Sequence, residues 1–182
     1  KEYPVETVNI VALSFGGMLA IDWMNRYPDM IQSAVLMNIS SRNLSPFYQR
    51  LDYKIYPVLF SLLLKKQPQR EAVIIRLISN LYPSRTQLTE LWNQYAREQP
   101  VRQWTLLAQL WAAANYSLPD KKPKQPILLL NSLSDRLVHP DCSKAISEAW
   151  GVPLHRHPTA GHDITLDVPL WVLEQLKAWV RL

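Results

Sequence analysis

Val8-Asn9-Ile10-Val11-Ala12-Leu13-Ser14-Phe15-Gly16-Gly17 is the stretch on which the reading of this chain turns. Its first part is a short, β-branched, apolar run, the kind of strand that is buried on both faces of a parallel sheet. Ser14 to Gly17 turn the chain, and Met18, Leu19, Ile21, Trp23 and Met24 continue as a helix that should stop before Pro28, because a residue preceding proline is pushed out of the helical region. Ser33 to Ile39 then reads as a second strand. A strand, helix and strand of this length form a right-handed parallel crossover. A serine at the sharp turn between strand and helix has its hydroxyl at the carboxyl end of the sheet. Small residues at Ala12 and Gly16 let such a turn pack. The helix N-terminus favours developing negative charge, and the Phe15 N–H is placed to donate to an oxyanion.

Beyond this unit the texture changes. From about 43 to 120 there is no convincing strand, and apolar residues recur at helical spacing, as in Leu88, Leu91, Trp92 and Tyr95, then Trp104, Leu107, Leu110 and Trp111. Prolines at 57, 68, 83, 100 and 119 divide the segment into about four helices. From 121 to 182 the α/β pattern returns. Pro126 to Asn131 is a buried strand, Asp141 to Trp150 a helix, Val152 to His157 a short strand, and Pro169 to Val180 a final helix. The expected fold class is therefore α/β: a parallel sheet in 1–42 and 121–182, interrupted by a helical cap in 43–120.

The Ala-Leu-Ser-Phe-Gly-Gly turn resembles the nucleophile elbow of the α/β-hydrolase family, with Ala12 where the G-x-S-x-G pattern has its first glycine. The resemblance implies an acid after a later strand and a histidine after the last one, in the order Ser, Asp, His. Asp135 stands after the strand at 126–131, and His162 follows Gly161 after the strand at 152–157. The implied triad is Ser14, Asp135 and His162, with Phe15 as an oxyanion donor. Asp141, which looks like a helix N-terminal residue, and Asp163, which adjoins the histidine, compete with Asp135. His139 reads as a capping or packing residue, and His155 and His157 lie in or at the end of a strand. The family's fold also implies strands before the nucleophile strand and a loop supplying a second oxyanion N–H. This chain begins almost at the nucleophile strand, so it is expected to be the C-terminal portion of such a fold. An exposed edge on that strand is expected to favour pairing with a second copy.

The function so implied is a serine hydrolase that cleaves a carboxylic ester or thioester through an acyl-enzyme on Ser14. The alternatives are a hydrolase-fold protein that binds without turnover, or an inactive fragment. Trp92, Trp104, Trp111, Tyr48, Tyr53, Tyr56 and Tyr95 in the cap either line an apolar acyl pocket or pack the cap helices together. No cofactor or metal is required. The formal charge of +5 arises from 20 basic and 15 acidic residues. Its basic clusters (Lys65, Lys66 and Arg70; Lys121, Lys122 and Lys124) match no nucleic-acid motif, and a small-molecule substrate is the expected partner. The apolar run from Ile55 to Leu64 is too short for a membrane span and contains Pro57. The opening residues Lys1 to Glu6 lack the apolar region of a signal peptide. With Cys142 as the single cysteine, a reducing, cytoplasmic location is expected.

Overall fold

The computed structural model describes residues 7–65, 69–81 and 85–180. Lys66, Pro68, Pro83 and the opening residues 1–6 lie outside them. Four strands, β1 (Val8–Leu13), β2 (Ile31–Met37), β3 (Ile127–Ser132) and β4 (Leu154–His157), form one sheet in the order β1-β2-β3-β4. Every pairing is parallel, with Ala12 beside Leu36, Leu36 beside Leu129, and Leu129 beside Leu154. Helix α1 (Phe15–Arg26) crosses from β1 to β2. The cap follows as the single turn α2 (Phe47–Arg50), a 3-10 turn (Tyr53–Ile55), α3 (Tyr56–Leu64), α4 (Gln69–Ile78), α5 (Arg85–Glu98) and α6 (Gln103–Asn115). The core resumes with β3, α7 (Asp141–Trp150), β4, the short α8 (Ile164–Asp167) and α9 (Pro169–Val180).

Alternation along β2 and β3 builds two cores. Ala34, Leu36, Ile127 and Leu129 pack on Ala20, Ile21 and Met24 of α1 and Ile146 of α7. Val35, Met37, Leu128 and Leu130 point to the other face, against Ala160, Ile164 and Val172. All six residues of β3 are buried. Removing a side chain of this size from water contributes about 1.5–3 kcal/mol, so β2 and β3 hold the sheet together. β1 is the outer strand of the described sheet, and Val11 is half exposed. Among the described residues, no helix is long and apolar enough to cross a membrane.

The second strand shifts in position from its reading in the sequence. It starts at Ile31 and ends at Met37, two residues earlier than the Ser33–Ile39 reading. Its end is set by Asn38, which leaves the extended region with φ 48°. The glycines of the turn after β1 differ in what they allow. A Cβ at Gly16 would meet the Ala12 Cβ at 4.0 Å, an ordinary contact, which is why a small residue at position 12 suffices. A Cβ at Gly17 would sit 2.4 Å from Ile39 Cγ2, inside the buried core. Gly17→Ala should therefore destabilise the fold by about 1–3 kcal/mol through overpacking. Urea denaturation of Gly17→Ala, Ile39→Ala and the double variant should show a double-variant loss smaller than the sum of the two single losses.

Candidate active site

The carboxyl ends of all four strands converge on one edge, where ligands of open α/β sheets bind. Ser14 occupies the junction between β1 and α1 with φ 52° and ψ −123°, a sparsely populated conformation for a side-chain-bearing residue that costs on the order of 1–3 kcal/mol. Its N–H donates to the Met37 carbonyl at 2.8 Å, which ties the turn to the end of β2. Phe15 is the first residue of α1, so its N–H has no acceptor within the helix. Ser14, Phe15 and His162 line one cavity of about 290 Å3. Its walls are largely apolar, with Met18 from α1, Leu106 and Leu110 from α6, and Val138 from the loop after β3.

Asp135 lies on the loop after β3, with a fully buried side chain. Its Oδ2 is 2.7 Å from His162 Nδ1, and its Oδ1 accepts the N–H groups of Leu137 at 2.8 Å and Val138 at 3.1 Å. Both carboxylate oxygens are thus engaged, which fixes the carboxylate orientation. With Nδ1–H given to Asp135, the lone pair of the neutral His162 ring resides on Nε2. An imidazole held in this way can take a proton from a neighbouring hydroxyl and return it to a leaving group.

The competing residues have local employment. Asp163 caps α8 by accepting from Leu166 N–H at 3.0 Å and Thr165 Oγ1 at 2.6 Å. Asp141 sits in the first turn of α7, exposed beside His139. His155 contacts Gln175 Oε1 at 2.6 Å, and His157 packs edge-on against Trp171. Of the seven cap aromatics singled out in the sequence, Tyr56 lines the cavity, whereas Trp104 and Trp111 are exposed. Trp92 and Tyr95 line a separate groove with α4.

Sequence reasoning missed two residues that hold the histidine loop. Asn38, buried in the left-handed region at the end of β2, donates from Nδ2 to the His162 carbonyl at 2.7 Å and to Ser132 Oγ at 3.2 Å. Its Oδ1 accepts from Ser132 N–H at 2.8 Å. A lone asparagine closing an apolar strand is the signal that could have drawn attention to it. Asp167 joins the histidine loop to the cap. It accepts from Gly161 N–H at 2.7 Å, Asn80 N–H at 2.8 Å, Leu81 N–H at 3.2 Å and Ser79 Oγ at 2.5 Å. Gly161 is indispensable to this closeness, because a Cβ there would lie 2.6 Å from the Ile78 carbonyl.

Burial works against ionisation of Asp167, but the Ser79 hydroxyl and the Asn80, Gly161 and Leu81 N–H groups outweigh it, and its carboxyl titrates below the ordinary value. The stabilisation from a depressed carboxyl pKa is complete above the unfolded-state value of about 3.9 and fades as pH falls through the folded-state value. Asp167→Asn should lower stability near neutral pH and flatten the acid limb of the stability curve. Urea midpoints measured at a series of pH values in both proteins check this, and parallel acid limbs would contradict it.

A family profile described as alpha/beta hydrolase fold matches residues 1–169. No sequence among the curated proteins matches the chain significantly. Among solved structures, it is similar to a 2-hydroxy-6-oxo-6-phenylhexa-2,4-dienoate hydrolase from Rhodococcus sp. strain RHA1, with TM-score 0.76 and 16% identity, over 98% of this chain and 65% of that one. It is also similar to a putative non-heme bromoperoxidase from Mycobacterium tuberculosis H37Rv, with TM-score 0.67 and 22% identity, over 96% of this chain and 67% of that one. A meta-cleavage product hydrolase from Pseudomonas fluorescens IP01 gives TM-score 0.68 and 20% identity, over 97% of this chain and 64% of that one. The chain thus spans about two thirds of the length of these proteins, and at these identities the likeness is one of fold.

Proposed function

The chain belongs to the alpha/beta hydrolase fold family, and from that premise we propose that it is a serine hydrolase acting on a carboxylic ester or thioester with an apolar acyl group. The observation that carries this reading is the 2.7 Å contact between Asp135 Oδ2 and His162 Nδ1, with His162 and Ser14 lining one cavity. In the proposed reaction, His162 Nε2 removes the Ser14 hydroxyl proton as Oγ attacks the carbonyl carbon. The oxyanion that develops is met by the Phe15 N–H at the positive end of α1. Collapse of the tetrahedral species expels the alcohol or thiol, which takes the proton from His162. Water, deprotonated by His162, then attacks the acyl-enzyme, and the carboxylic acid leaves with Ser14 restored. Asp135 holds the imidazole in the reactive tautomer and stabilises the imidazolium. Apolar walls at Met18, Leu106 and Leu110 suit an acyl chain.

Intact-mass labelling with a fluorophosphonate probe tests the reading. The chain should gain one adduct that Ser14→Ala abolishes. Asp135→Asn should slow hydrolysis of a reactive nitrophenyl ester by roughly four orders of magnitude, the effect of presenting the wrong histidine tautomer. No adduct, together with no ester hydrolysis above buffer, would replace catalysis with binding of a ligand without turnover.

A further inference from the structure

Among the side chains that line the cavity beside Ser14, Arg50 alone carries a fixed charge, and none of the lining residues is acidic. Arg50 ends α2 and is 9% exposed. Its Nη1 donates to the Ala114 carbonyl at 2.7 Å, and its Nη2 donates to the Ala113 carbonyl. Both carbonyls belong to the last turn of α6. Its Nε is buried without a hydrogen-bond partner. No carboxylate forms an ion pair with it among the described residues. The neighbouring Cys142 cannot serve as a counter-ion, because burial pushes its thiol pKa up and keeps it neutral.

A guanidinium has five N–H donors and stays protonated throughout the accessible pH range. The two carbonyls use two donors, and the negative end of α6 offsets roughly half a charge. What is left is an incompletely compensated cation in an apolar wall, where attraction to a negative group is much stronger than in water. A residual charge of that size suits a monoanion better than a phosphate dianion, and the planar fork matches a carboxylate. We propose that Arg50 receives a carboxylate carried by the acyl part of the substrate, so that the natural ester or thioester is a monoester of a dicarboxylic acid with an apolar middle. This inference rests on Ser14 being the nucleophile, since that places the scissile carbonyl in the cavity that Arg50 also lines.

Matched substrates separate the two ideas. Mono-p-nitrophenyl esters of succinate, adipate and suberate are compared with p-nitrophenyl butyrate, hexanoate and octanoate, using the wild-type chain. For at least one chain length, kcat/KM should favour the carboxylate-bearing ester by about tenfold or more, carried by KM, as a charge-assisted contact provides. Arg50→Gln should collapse that ratio to about one, and Arg50→Lys should retain part of it. Wild-type preference for the neutral ester at every length would overturn the inference while leaving serine hydrolysis standing, as would a carboxylate preference that survives in Arg50→Gln. If Arg50→Gln loses its folded circular dichroism spectrum, the wild-type ratios and Arg50→Lys decide. If neither ester series is hydrolysed, the catalytic reading fails. Calorimetric binding of N-phenyl adipamic acid against N-phenyl hexanamide then decides for Arg50. Tighter binding of the acid by wild type supports the carboxylate site, and equal affinities overturn it.

Discussion

Burial of β2 and β3 between two apolar layers is the constraint from which the rest of this structure follows. A strand covered on both faces must pair both its edges, and it must end where its polar neighbours can still find partners. β3 meets the first condition by running parallel between β2 and β4, with every residue from Ile127 to Ser132 buried. At its carboxyl end the apolar run gives way to Asn131 and Ser132, and the Asn131 Nδ2 and Ser132 N–H groups both donate to Asn38 Oδ1 opposite them. Asn38 can accept and donate at once because its amide carries both a carbonyl oxygen and an NH2 group, and its backbone turns into the left-handed region, which asparagine tolerates better than most side chains.

The same requirement for paired polar groups couples the cap to the histidine. The carboxyl end of α4 leaves carbonyls that no residue of the helix can satisfy. Asp163 N–H takes the Ile78 carbonyl, and Arg136 donates to the carbonyls of Arg76 and Ser79. Asp167 collects the N–H groups that follow, at Asn80 and Leu81, together with that of Gly161. Asn80 reaches from the same corner to the carbonyls of Ser134 and Thr159. One end of one cap helix is thereby tied to the loops bearing Asp135 and His162. A displacement of α4 would reach both loops through these bonds, since the segments cannot separate without breaking them.

Elements bounded by local chemistry were legible in the sequence. α9 begins at Pro169 and α7 spans Asp141 to Trp150 as read, because proline and glycine mark ends without help from distant residues. β1 and the turn at Ser14 were legible for the same reason, and the loop placement of Asp135 and His162 followed from strand ends. The start of β2 was not, because Gln32 and Ser33 interrupt the apolar run that Ile31 begins, and pairing with β1 decides the matter. Asn38 acts on His162 across 124 positions, Asp167 on Asn80 across 87, and Arg50 on Ala113 across 63. No periodicity encodes such partners. The cap aromatics left two readings open for a related reason: helical spacing shows which residues share a stripe, but packing decides that Tyr56, Leu106 and Leu110 line the cavity while Trp104 and Trp111 stay exposed.

Two sources of positive potential border the cavity, and they differ in when they act. In the proposed reaction the first N–H groups of α1 would meet negative charge that exists only while the carbonyl carbon is tetrahedral, so their contribution would be expressed in the rate of the chemical step. The Arg50 guanidinium is charged at all times and would hold a carboxylate equally in the bound substrate and in the transition state, which is uniform binding and is expressed in KM. The buried position of Arg50 fits this division. An exposed cation would be screened and would discriminate poorly, whereas one seated on the α6 carbonyls is fixed in direction and surrounded by apolar atoms. The carbonyls lower the cost of keeping the charge there when the cavity is empty, and they occupy only part of its donor set. An arginine used solely to fasten α2 to α6 would gain nothing from a place in the cavity wall, where its remaining donors have no carboxylate to meet within the described chain.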